Sequence, residues 1–239
     1  MSIPQKTVAV VTGAGRGVGL AIAHRLAQSG HHVVLCARSQ SELDHAAVAI
    51  TSQGGSASVS RCDISDPAQV AALSASVLAE FSRCDVLVNN AGIGSVGTPL
   101  HQVDPAKFQA VLSTNLVGPY LMLRAFAPAM IAACTGHIIN IGSLAGKNPL
   151  PNGAPYAASK WGLLGLMQSA AEELRPHGVR VSVISPGSIA TGFANHPGAD
   201  DDWKISPDDV AAVVAEIVAQ SPRSFISEVL LRPLRKPKA

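Results

Sequence analysis

Thr12-Gly13-Ala14-Gly15-Arg16-Gly17-Val18-Gly19 is the stretch around which the chain can be laid out. It follows Thr7–Val11, a short β-branched run that reads as a fully buried strand. It then opens a helix to about Ser29, whose inner face carries Val18, Ala21, Ile22 and Leu26. Glycines between a strand and a helix let the backbone turn tightly and approach a pyrophosphate, which rests on the positive end of the helix. Gly13, Gly17 and Gly19 are spaced G-x-x-x-G-x-G, not the commoner G-x-G-x-x-G. An ordinary turn is the alternative; the strand before and the helix after favour the nucleotide site.

Outward from this turn, strands and helices alternate. Strands are predicted at His31–Ala37, Ala57–Arg61, Val86–Val88, Gly136–Ile141, Arg180–Ile184 and Phe225–Leu231. Ser39 starts a helix with Glu42 three residues on as a capping box, and Asp66-Pro67 starts another to about Phe81. Asp104-Pro105 begins a long helical stretch to about Cys134, with a kink expected near Asn115, Gly118 and Pro119. Ala154–Pro176 is a further helix, and Ser206-Pro207-Asp208-Asp209 caps the last, to about Gln220. The pattern predicts an α/β fold, a doubly wound parallel sheet covered by helices on both faces, in one domain over residues 1–239.

Composition narrows the function classes. Hydrophobic residues at 47% and charged residues at 14% exclude disorder and suit a deeply buried sheet. A net charge of +2 is too small to argue for nucleic acid or a membrane surface, and the basic tail Arg232–Lys238 reads as solvated. Cys36, Cys62, Cys84 and Cys134 lie far apart without ligand spacing, so no metal site is expected and buried or half-buried thiols are. There is no secretory signal, and no apolar run reaches the ~20 residues of a membrane span. A soluble, cytoplasmic protein is expected.

In a doubly wound sheet, ligands bind outside the carboxyl ends of the strands, where strand order reverses. Thr12, Arg38, Asp63, Asn89, Ser143 and Pro186 all fall at such ends. The second strand ends Cys36-Ala37-Arg38-Ser39 without a carboxylate, and the glycine turn carries Arg16. Two guanidinium groups at one corner favour the 2′-phosphate of NADP(H), with NAD(H) possible; two solvated arginines are the alternative. Asp63 either accepts from an adenine amino group or caps a turn. Asn89-Asn90-Ala91-Gly92 leaves a central strand with side chains able to tie strand ends together, and Gly92 leaves room for a ribose. Tyr156 and Lys160 lie one helical turn apart, with heads free to meet. A phenol titrates near ~10, and an ammonium beside it would lower that value and make it a usable acid or base.

Thr12–Gly19, Asn89–Gly92, Asn115, Ser143, Tyr156-x-x-x-Lys160 and Pro186-Gly187, in this order and at these separations, resemble the short-chain dehydrogenase/reductase family nearly end to end. The resemblance implies a Rossmann-like sheet of seven strands and hydride transfer with a tyrosine acid. It implies that Tyr156 protonates the substrate oxygen, Lys160 holds the nicotinamide ribose, Ser143 meets the carbonyl and Asn115 joins a proton relay. It implies cofactor contacts from Gly13, Gly15, Arg16, Gly17, Val18, Gly19, Arg38, Asp63, Ile64, Asn90, Ala91, Gly92, Pro186, Gly187, Ile189 and Thr191, besides Tyr156 and Lys160. A homodimer or homotetramer is implied, as is a substrate-covering segment near residues 193–206, with Asp200-Asp201-Asp202 read as a solvated loop. Ser182 stands where many members have Asn, which leaves one structural hydrogen bond open. Cys134 and His177 stand where carrier-protein reductases often have Arg.

The expected activity is NADPH-dependent reduction of a ketone or aldehyde, reversible as alcohol oxidation. The alternatives are a 3-oxoacyl thioester reductase and a non-catalytic NADP(H)-binding sensor or scaffold. Pocket walls are expected from Ser95–Pro99, Leu144–Asn152 and Phe193–Ile205.

Overall fold

The computed structural model describes residues 6–193 and 202–235. Seven strands form one sheet: β1 (Val8–Thr12), β2 (His32–Ala37), β3 (Ser56–Arg61), β4 (Val86–Asn89), β5 (Gly136–Ile141), β6 (Val179–Pro186) and β7 (Glu228–Leu231). Their order is β3-β2-β1-β4-β5-β6-β7 and every neighbouring pair is parallel. The order reverses between β1 and β4, so the glycine turn after β1 opens onto the crevice expected there. The doubly wound parallel sheet of the sequence reading is what the chain builds. Strand ends differ by up to three residues; the largest differences are at β7, which begins at Glu228 instead of Phe225, and β6, which runs on to Pro186.

Helices α1 (Gly17–Gln28), α2 (Gln40–Ser52) and α7 (Pro207–Val218) cover one face, packing Ile22, Leu26, Leu43, Ile50, Val210 and Val214 onto Val11, Leu35 and Val88. Helices α3 (Pro67–Phe81), α4 (Pro105–Leu112), α5 (Gly118–Ala132) and α6 (Ala154–Leu174) lie on the other, around Val10, Leu87, Met122, Phe126, Ile138 and Met167. The expected kink is a π-helical turn over Ser113–Val117, joining α4 to α5 in one continuous stretch. Such a widened turn marks a residue inserted into the ladder, and here it turns Asn115 inward.

Two expectations from the sequence need correction. Cys36, Cys62 and Cys84 are buried, but Cys134 is exposed at the end of α5, in a left-handed turn (φ 51°) that points it away from the core. Ser39 caps α2 by accepting from the Glu42 amide (3.4 Å), yet the Glu42 carboxylate does not return to the Ser39 amide, so the capping box is only half made. The box at Ser206 and Asp209 is complete.

Ser182, which stands where the resemblance expects Asn, is hydrogen-bonded on both sides. Its hydroxyl donates to the Ile226 carbonyl (2.6 Å) and so accepts from His137 Nε2 (2.8 Å). That arrangement makes His137 the neutral Nε2–H tautomer, with Nδ1 buried and without a partner. Burial, reinforced by the Arg180 charge, pushes the imidazole down to about 3. The unfolded chain therefore binds a proton near pH 6.5 that the folded chain refuses until about 3. Stability from this group is complete above ~6.5 and falls as pH drops through that window. Urea unfolding should lose about 3 kcal/mol between neutrality and about pH 4 from this residue alone. His137→Asn should flatten the slope; parallel slopes would refute the assignment.

Candidate active site

The carboxyl ends of β1, β2, β4, β5 and β6 border one groove of about 1090 Å³. A pocket for one small ligand is typically ~300–1,000 Å³, so this groove has room for a dinucleotide and a second molecule.

The glycine turn forms its floor. Gly13 holds a left-handed φ of 65°, and a Cβ there would lie 2.9 Å from the Ala91 Cα. Only glycine lets β1 and the Asn90–Gly92 segment approach so closely. Asn90 seals the approach: its amide group donates to the carbonyls of Thr12 (2.9 Å) and Gly13 (3.3 Å). Thr12 Oγ1 takes the backbone N–H of Asn90 and Ala91 in return. No side chain caps α1, so the amides of Gly17, Val18 and Gly19 begin a helix with donors to spare beside the groove.

Gly15, Arg16, Arg38, Ile64, Pro186, Gly187, Ile189 and Thr191 line the same groove, with Thr191 3.6 Å from where a Gly17 Cβ would stand. Asp63 also borders it, and the turn reading holds: Oδ1 accepts from the amide (2.9 Å) and hydroxyl (2.7 Å) of Ser65. Burial pushes that carboxyl up, but Ser65 and the Arg38 charge together carry it below its ordinary value.

At the other end, β5 and α6 bring Ser143, Tyr156 and Lys160 to the groove wall. The Lys160 ammonium lies 5.7 Å from the centroid of the Tyr156 ring and donates to the Ile141 carbonyl at 2.7 Å. Burial pushes Lys160 down to about 8. For Tyr156 the direction expected from the sequence is reversed. Burial pushes the phenol up, and the Ser143 hydroxyl, hydrogen-bonded to it, only partly offsets this. Burial decides the direction because a phenolate at this depth would lose its water, the largest of the influences on the group.

Asn115 does not line the groove. It is 1% exposed behind it, where Oδ1 accepts from the Ile93 amide (2.8 Å) and Nδ2 donates to the Ile93 carbonyl (2.9 Å) and to Ser159 (3.1 Å). Its side chain clamps the segment after Gly92 to the tyrosine helix.

The walls come from the three expected loops, through Val96, Leu144, Asn148, Leu150, Phe193 and Trp203. Phe193 stacks obliquely near Tyr156, with centroids 5.8 Å apart. Of the expected aspartates, Asp200 and Asp201 lie outside the described residues. Glu42 also borders the groove, which its helix-capping position after Ser39 did not suggest. Among the described residues, no three His, Cys, Asp or Glu side chains converge as a metal site would require.

A seven-stranded parallel sheet with a glycine turn at its switch point defines the Rossmann-like class of α/β proteins. The chain belongs to the short-chain dehydrogenase family, whose model matches residues 7–202, and is thus an oxidoreductase. It is 35% identical to a 3-oxoacyl-[acyl-carrier-protein] reductase of Synechocystis sp., over 92% of each chain. It is 38% identical to a ketoacyl reductase of the granaticin polyketide synthase of Streptomyces violaceoruber, over 79% of this chain and 70% of that one. Among solved structures, a metagenomic short-chain oxidoreductase in complex with NADP is 54% identical, with a TM-score of 0.86 over 96% of this chain and 98% of that one.

Proposed function

We propose that the protein is an NADPH-dependent carbonyl reductase, converting a ketone or aldehyde to an alcohol and reversible in principle. The observation that carries this is the meeting of Ser143, Tyr156 and Lys160 in the groove that also holds the glycine turn. Arg16 and Arg38 at the far corner, and the NADP held by the similar metagenomic oxidoreductase, support the phosphorylated cofactor. The glycine-turn amides would hold the pyrophosphate, and bound NADPH supplies the hydride.

The chain's own residues do the rest. Ser143 and Tyr156 donate hydrogen bonds to the carbonyl oxygen, which strengthen as charge builds on it, and Tyr156 then passes its proton. A phenol held neutral by burial suits that donor role. Lys160 orients the ribose and supplies the positive charge that stabilises the resulting phenolate. Asn115 keeps the loop and the tyrosine helix in register.

Because Lys160 loses its proton near pH 8, the reduction rate should be flat below that value and fall above it. Lys160→Arg, cationic throughout, should move the falling limb to higher pH in whatever activity remains. An unmoved limb would assign the titration to another group.

A second reading, a 3-oxoacyl thioester reductase, is supported by the names of the two relatives. Against carrier-protein docking, the resemblance puts Cys134 and His177 where such reductases often have Arg. Assaying acetoacetyl thioesters beside simple diketones and aldehydes, by NADPH absorbance, separates the two. NADPH binding without turnover on any carbonyl would instead leave a cofactor-binding sensor. What supports the implied homodimer or homotetramer is apolar surface at Val117, Tyr120 and Trp161, on α5, α6 and the turn between α4 and α5.

A further inference from the structure

The half-made cap on α2 leaves the Glu42 carboxylate free of its own helix, and it turns to the glycine turn instead. A Cβ on Gly15 would stand 3.0 Å from Glu42 Oε2, and the other carboxylate oxygen lies 3.9 Å from Arg16 Nη1. Arg16, Arg38, Ser39 and Glu42 border one corner of the groove. Each arginine there already faces an acid, Arg38 feeling Asp63 and Arg16 pairing with Glu42. The two acids are not alike. Asp63 is committed to Ser65 through two hydrogen bonds, whereas among the described residues Glu42 has Arg16 as its one ion-pair partner.

We propose that Glu42 competes with the adenosine 2′-phosphate for the Arg16 guanidinium, and thereby limits the preference for NADP(H) over NAD(H). This rests on the nicotinamide-cofactor reading given above. A phosphate monoester carries about −1.5 to −2 charge at neutral pH, so a carboxylate on the same guanidinium must be displaced and is then left facing it. A ribose bearing a free 2′-hydroxyl meets no such repulsion, and a carboxylate can accept from that hydroxyl. Glu42 is partly and Arg16 largely solvated, with side chains 42% and 83% exposed, so the effect is moderate.

The test is the dissociation constant of NADP⁺ and of NAD⁺, by calorimetry, for the wild type, Glu42→Gln, Arg16→Ala and the double variant. Glu42→Gln should tighten NADP⁺ about three- to tenfold at low salt and leave NAD⁺ no tighter, with the gain shrinking at high salt. In the Arg16→Ala background the same change should yield clearly less, because the competition acts through that guanidinium. An unchanged or weaker NADP⁺ affinity in Glu42→Gln would overturn the inference, as would a full gain without Arg16. If the wild type binds NADP⁺ and these variants behave that way, only the role of Glu42 fails. If the wild type binds neither dinucleotide, the cofactor reading fails and takes this inference with it.

Discussion

Tyr156→Phe should bind NADPH as the wild type does and lose carbonyl reduction by about 10²–10⁴-fold, the range expected for removing a positioned proton donor. The substitution deletes one oxygen and keeps the ring against Phe193, so packing of α6 is preserved. On the mechanism proposed above, what disappears is one of two hydrogen bonds to the growing charge on the substrate oxygen, together with the proton that quenches it. Ser143 remains, but an aliphatic hydroxyl is a far weaker acid than a phenol and does not replace the lost proton. Single-turnover kinetics separates the possibilities: unchanged cofactor affinity with a slowed chemical step supports the role. Retention of most activity would refute it.

Arg38→Asp should reverse the cofactor preference, by about 100-fold in the ratio of kcat/KM for NADPH to that for NADH. Hydrogen bonds to charged groups contribute about 1.5–3 kcal/mol, and replacing a cation by an anion adds repulsion of the 2′-phosphate. The site tolerates the change because Arg38 is at a strand end on the groove rim and its backbone carbonyl stays held by Arg61 Nε (3.1 Å). An aspartate there also gains the ribose hydroxyl as a partner, so NADH turnover should rise or hold. If the ratio is unmoved, the 2′-phosphate is not read at this corner.

Much of the molecule was legible because it rests on local chemistry. A β-branched run ending in spaced glycines, then a helix, can hardly be read otherwise, and Asp66, Asp104 and Ser206 start helices through their own side chains. The tyrosine and lysine meet because one helical turn separates them. Even the π turn was foreshadowed by Asn115, Gly118 and Pro119, although its form was not. Less legible were the strand ends, which depend on partners: Pro186 pairs with Leu231 only because β7 arrives beside β6.

The sequence by itself determined the order of strands and helices, the glycine turn after the first strand and the residues at the strand ends, all set by contacts within a few residues. Tertiary structure alone decided what those residues experience. It moved Tyr156 upward instead of down, since desolvation depends on the walls built by distant loops. It turned Glu42 from its own helix cap to Arg16, a neighbour only after β1 and β2 pair, and it left His137 neutral by burying it near the Arg180 charge. Burial and charge at a site are sums over groups far apart in the chain, and no local pattern carries them.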